Sequence, residues 1–173
     1  MNYIYKLIIR LFLLLVMPLS FFYFVFTPLT IYPSYFLLKI TGFAPQFTSS
    51  TVLAFQELAV RFVPACIAAS AYYLLYILIL LTKELALIKS VKLFIYGSLL
   101  ILSVNIIRIY LIILVLIKYG VNYFNAIHLF FWTFVASVYV ALIWIFLTRK
   151  MKIKPIPAYS DIKYLYEKAK KKH

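Results

Sequence analysis

A chain of 173 residues is about one domain long, and 66% of this one is hydrophobic, with a mean hydropathy of +1.03. A soluble domain is nearer half apolar, so the composition excludes an ordinary soluble fold and points to an all-α integral membrane protein, in which helices satisfy every backbone polar group internally. The net charge of +14 does not mark a nucleic-acid partner, because half of the eighteen basic residues follow Leu147, beside an apolar run, where they suit anionic lipid.

The first apolar run extends from about Leu7 to Leu29, with Lys6 and Arg10 at its start. It is too long for a signal-peptide core and no small-residue cleavage site follows, so it is expected as a retained helix. Some thirty residues with Pro33, Gly42 and Pro45 come next. Within them, "SYFLLKI" (Ser34 to Ile40) is expected as a short interfacial helix and "VLAFQELAVRF" as an amphipathic segment. Three more runs follow, Val63–Leu81, Val91–Ile117 and Ile127–Leu147. Each of the four is near the roughly 20 residues that cross a bilayer. The expectation is a bundle of about four transmembrane helices, residues 1–148, with a basic tail at 149–173. In the tail, Pro155 and Pro157 break the chain and Ser160 caps a helix whose one face holds Ile162, Leu165, Tyr166 and Ala169. That is a basic amphipathic helix for the inner leaflet.

Charge sets the orientation. With both termini cytoplasmic, Lys6, Arg10, Lys83, Lys89, Lys92 and the basic tail lie inside, against Lys39, Arg61 and Lys118 outside. The cell membrane is the expected location. This topology carries three distant residues to one depth near the outer leaflet: Cys66 at the start of the second run, Arg108 in the outer half of the third, and His128 at the start of the fourth.

Arg108 stands in "LSVNIIRIYLIIL" with no acidic residue nearby. A charge within a span is costly and marks function unless it snorkels to lipid phosphates. Asn105 lies one turn away on the same face. Cys66, the only cysteine, follows Pro64 by two residues, in the first turn of a helix, where free N–H groups favour a thiolate. Taken alone, a free cysteine in a helix is usually a small buried hydrophobe. His128 has a pKa suited to acid–base work, with Trp132 one turn on as a packing partner. Cys and His together form a nucleophile–base pair, for which Asn105, Asn125 or Glu57 supplies an orienting group. Four acidic residues in all argue against carboxylate chemistry. Cys66 and His128 make two metal ligands where a catalytic zinc takes three, so no metal and no cofactor is expected.

The blocks "PACIAASAYYLLYILILLT", "NIIRIYLIIL" and "FNAIHLFFW" resemble the exosortase/archaeosortase family over about residues 63–144. The resemblance implies a membrane cysteine peptidase/transpeptidase with Cys66 as nucleophile and Arg108 and His128 as the family's conserved arginine and histidine. It implies membrane-tethered protein substrates that carry a C-terminal sorting signal, and a lipid or surface acceptor for the cleaved product. Many members have about twice as many spans, and bacterial members commonly follow the cysteine with Ser/Thr-Gly, where this chain has Ile67 and Ala68. The alternative from another class is a non-enzymatic membrane scaffold, with Arg108 on lipid and Cys66 inert.

Overall fold

The computed structural model describes residues 3–55, 58–82, 85–131 and 136–153. The chain is mostly helical (77%). Helix α1, Tyr3–Val16, stops before Pro18, which has no N–H to donate and drives the residue before it out of the helical region. Pro18 (ψ 154°) then opens α2, Leu19–Ile40. The expected single helix over 7–29 is therefore two helices, and the expected interfacial helix at 34–40 is the last part of α2. That helix runs through Pro28 and Pro33. Thr27 and Ser34, beside the two prolines, donate their hydroxyls to the carbonyls of Tyr23 and Thr30. Gly42, at φ +91°, ends α2: the Phe43 N–H reaches back to the Leu38 carbonyl at 3.1 Å.

The segment expected as amphipathic, "VLAFQELAVRF", is extended where it is described. It supplies two strands of a small antiparallel meander, β1 Gln46–Ser49, β2 Val52–Phe55 and β3 Leu58–Arg61, in that order across the sheet. The reason is a period of two. Leu58 and Val60 turn inward while Ala59 and Arg61 turn out, and Leu53 is fully buried. Phe47 seats the sheet on α2 by stacking on Tyr35 (ring centroids 4.8 Å apart).

The second apolar run is broken as well. α3, Pro64–Ile67, is a single turn, and Ala68 at φ +58° separates it from α4, Ala69–Leu80. α5, Leu87–Tyr119, is long and unbroken. Gly120 (φ +82°) turns the chain into α6, Val121–Phe130, which packs back on α5, and α7 follows as Ala136–Lys150. Among the described residues two helices, α2 and α5, are long and apolar enough to cross a membrane, and α4 is a shorter apolar helix. This corrects the expected four full-length spans: Pro18 and Ala68 cut two of the apolar runs shorter than their hydropathy suggests. Residues 154–173, which include the expected tail helix, lie outside the described residues.

The core gathers Phe22, Phe26, Ile31, Tyr72, Leu75, Leu93, Ile101, Val140 and Leu147 from α2, α4, α5 and α7. Gly97 permits a close approach of α4 to α5, because a Cβ there would stand 2.6 Å from Leu75 Cδ2. Outward faces remain apolar: Phe24 is 80% exposed, Phe36 61% and Leu142 61%. Such surface is costly in water and at home in lipid.

Candidate active site

Phe62 and Val63 lead the chain from the sheet into α3. The Phe62 N–H pairs with the Thr51 carbonyl at 2.8 Å, and Val63 caps α3 through bonds from the Cys66 and Ile67 N–H groups to its carbonyl. Pro64 occupies the first helical position, as expected from its missing donor. The helix that Cys66 opens is only one turn long, because Ala68 takes the left-handed conformation. The macrodipole expected at Cys66 is therefore that of one turn, not of a 19-residue helix.

The break at Ala68 has a second result. In an unbroken helix the carbonyls of Ala65 and Cys66 would accept from Ala69 and Ser70. Side chains from α5 take them instead. Arg108 Nη2 donates to Ala65 O (3.0 Å) and Cys66 O (3.3 Å), and Asn105 Nδ2 donates to Cys66 O (2.8 Å). Arg108 is 4% exposed and Asn105 0%. Arg108 does not snorkel; its guanidinium is turned into the bundle against the Cys66 turn. Its Nε has no hydrogen-bond partner among the described residues, and neither has Asn105 Oδ1. A left-handed non-glycine residue costs about 1–2 kcal/mol, so the presentation of these carbonyls is held at an energetic cost.

Cys66, Arg108 and His128 line one cavity of about 20 Å³, walled by Val60 and Phe62 from β3 and its extension, Ile109, Ile112 and Ile113 from α5, and Phe124 from α6. That volume admits about one water molecule. His128 is half-buried and stacked on Phe124, one turn earlier (centroids 5.6 Å, interplanar 14°). Burial and the nearby Arg108 charge hold its pKa below the ordinary histidine value, so it is neutral at pH 7. Burial pushes the Cys66 thiol up, while the backbone at Val63 and the Arg108 charge pull the other way. The arrangement is a half-buried thiol and a neutral imidazole on one cavity, with a buried cation that has one unused donor.

Asn125 does not join this group: it is exposed on α6 and does not line the cavity. Trp132 and Glu57 lie outside the described residues. Sequence reasoning missed Val60 and Phe62, because the segment was not read as strand, and Phe124, one of sixteen phenylalanines with nothing to mark it. It also missed Tyr139 on α7, whose buried hydroxyl has no hydrogen-bond partner among the described residues and lies within electrostatic reach of Arg108. The signal for Tyr139 was faint, a phenol in an apolar run among sixteen tyrosines. No residue set able to hold a metal occurs among the described residues. No family model, no curated protein and no solved structure matches this chain.

Proposed function

We propose that the chain is a membrane-embedded cysteine peptidase/transpeptidase of the exosortase/archaeosortase kind, cutting exported proteins at a C-terminal sorting signal and passing the product to a lipid or surface acceptor. The observation that carries this is the single cavity shared by Cys66, Arg108 and His128, which come from three separate elements. In the proposed cycle, neutral His128 takes the Cys66 proton and the thiolate adds to the scissile carbonyl carbon. The unused N–H of Arg108 stabilises the oxyanion, a type of contact worth about 3–4 kcal/mol of barrier. The C–N bond breaks, His128 returns the proton to the leaving amine, and a thioester remains on Cys66. A hydroxyl or amine of the acceptor, or water, then attacks that thioester, and the thiol is regenerated. Asn105 and the second contact of Arg108 keep the Cys66 turn in place throughout.

In this reading α2 and α5 span the cell membrane, α4 and α7 complete the bundle, both termini face the cytoplasm and the cavity sits near the outer leaflet. The basic residues at 149–173 lie on anionic lipid. The test is made in the host. Cells in which Cys66→Ser replaces the native chain should accumulate exported proteins with uncleaved C-termini, seen by mass spectrometry of the membrane fraction. Normal processing in that strain overturns the reading and favours the scaffold.

A further inference from the structure

The sheet ends at the site and leaves one ladder of backbone groups open beside it. In the β2–β3 pair, Val52 stands opposite Arg61 and Leu53 opposite Val60, and the Phe62 N–H bonds to Thr51 O. Antiparallel pairing alternates bonded and non-bonded positions. Phe62, Val60 and Leu58 therefore face β2 with their backbone groups, and Ala59 and Arg61 turn their N–H and C=O away from it. Among the described residues β3 is an edge strand, and those groups meet no fourth strand. Its side chains alternate to match: Ala59 and Arg61 are exposed, and Val60 forms part of the cavity wall that Phe62 continues. Five residues after Arg61 stands Cys66.

We propose that the free edge of β3 is the docking strand for the peptide substrate, which adds to it as a fourth strand through the backbone of Ala59 and Arg61. This rests on the peptidase reading of the Cys66 cavity and names how that site takes its substrate. The occupant follows from the chemistry on offer. Alternating N–H and C=O groups at strand spacing pair with an extended polypeptide backbone, not with a lipid tail. Ala59 has a side chain too short to obstruct the edge. An open edge is not tolerated in hydrocarbon, which puts this strand at the interface, where a chain leaving the bilayer is extended and unpaired. The opposite edge, β1, is two strand widths away, about 10 Å, and does not lead to the sulfur. A strand paired to β3 and continuing past Phe62 carries its carbonyls toward Cys66 and Arg108. Recognition through the backbone leaves the substrate's side chains to be read by the cavity wall.

The test uses the full chain in detergent or lipid vesicles and two electrophiles, acetyl-tetra-alanine chloromethyl ketone and chloroacetamide. The rate of Cys66 alkylation by the peptide is divided by the rate with chloroacetamide for the same protein, and this quotient is divided by the same quotient for free glutathione, which removes the greater intrinsic reactivity of the chloroketone. The ratio should be tenfold or more, and should fall toward one when alternate peptide amides are N-methylated, because each lost backbone bond weakens docking several-fold. Ala59→Pro and Arg61→Pro remove only N–H groups that β2 does not use, and each should lower the ratio several-fold. A ratio near one, or a ratio that neither proline variant nor N-methylation lowers, overturns the proposal. A second measurement does not depend on the thiol. In Cys66→Ser, the tetra-alanine peptide with an N-terminal benzophenone should photolabel residues 58–63, and labelling elsewhere or nowhere also overturns it. Failure to label with a reactive Cys66 sinks the docking strand alone. An inert thiol with labelling at 58–63 sinks the peptidase reading alone.

Discussion

Replacing Arg108 by methionine separates what the guanidinium does for the fold from what it does for the sulfur. Arg108→Met removes the contacts to Ala65 O and Cys66 O. The Cys66 carbonyl keeps Asn105 at 2.8 Å, so one carbonyl, that of Ala65, loses its partner. That costs about 1–3 kcal/mol. Against it stands relief from burying a cation, which costs several kcal/mol, and from an Nε with no partner. Methionine fills similar space without strain. The terms nearly cancel, and the variant should be within about 2 kcal/mol of the parent. Thermal unfolding in detergent, followed by fluorescence of the buried Trp144, measures this. Chemistry should not survive. Arg108 is one of the two influences that offset burial at Cys66, so its loss moves the thiol pKa further up. Below that pKa the thiolate fraction, and with it the rate of iodoacetamide alkylation, falls about tenfold per unit. A melting loss beyond about 4 kcal/mol would make Arg108 a structural group, and an unchanged alkylation profile would show that its charge does not act on the sulfur.

Arg108→Lys should fold yet lose at least about a hundredfold in substrate processing, since one ammonium cannot hold the α3 carbonyls and also face the cavity; parent-like processing would refute a role for the planar fork. His128 has a folded-state pKa below its unfolded one, so its contribution to stability is present above the unfolded value near 6.5 and is lost as pH falls below it. Melting temperatures at pH 5 and pH 7.5 should therefore differ less in His128→Gln than in the parent, and an equal difference in both would remove His128 as the cause. Gly97→Leu should be destabilising by several kcal/mol, because even a Cβ meets Leu75 and Leu147 and neither can retreat far in the core; a parent-like melting curve would contradict that packing. Protease added outside intact cells should spare the chain after Leu147, and cleavage there would reverse the proposed topology.

Hydropathy located the apolar stretches that α4, α5, α7 and the first half of α2 draw on, because lipid-facing and core-facing positions are both apolar and only the sum is read. It could not show where those segments are cut. Pro18 was a visible breaker inside a run that was nevertheless read as one helix. Pro28 and Pro33 looked like the same signal, yet α2 passes through both. The difference lies in neighbours that serve freed or bent backbone, such as Thr27 and Ser34, and that is a tertiary outcome. The strands were not read because four-residue strands carry too few alternations to stand out. Cys66, Arg108 and His128 were expected at one level, and they line one cavity, with Cys66 in the single turn of α3, His128 in the last turn of α6 and Arg108 about three turns before the end of α5. Arg108 on the α3 carbonyls was not legible, because nothing in "PACIAAS" announces that Ala68 adopts positive φ.

That choice of alanine at a left-handed position sets the stiffness of the site. Glycine would occupy both hands of the Ramachandran map almost freely, and the turn before α4 would then wander between them. Alanine has one comfortable hand and is held in the other. Were residue 68 to return to the right-handed basin, Pro64 to Leu80 would join into one rod. The Ala65 and Cys66 carbonyls would be absorbed into its ladder, and the sulfur would swing around the new axis away from its cleft. Arg108 and Asn105 grip the carbonyls that exist only in the bent form. The same two side chains that frame the sulfur thus hold the carbonyls that the left-handed Ala68 leaves without helical partners.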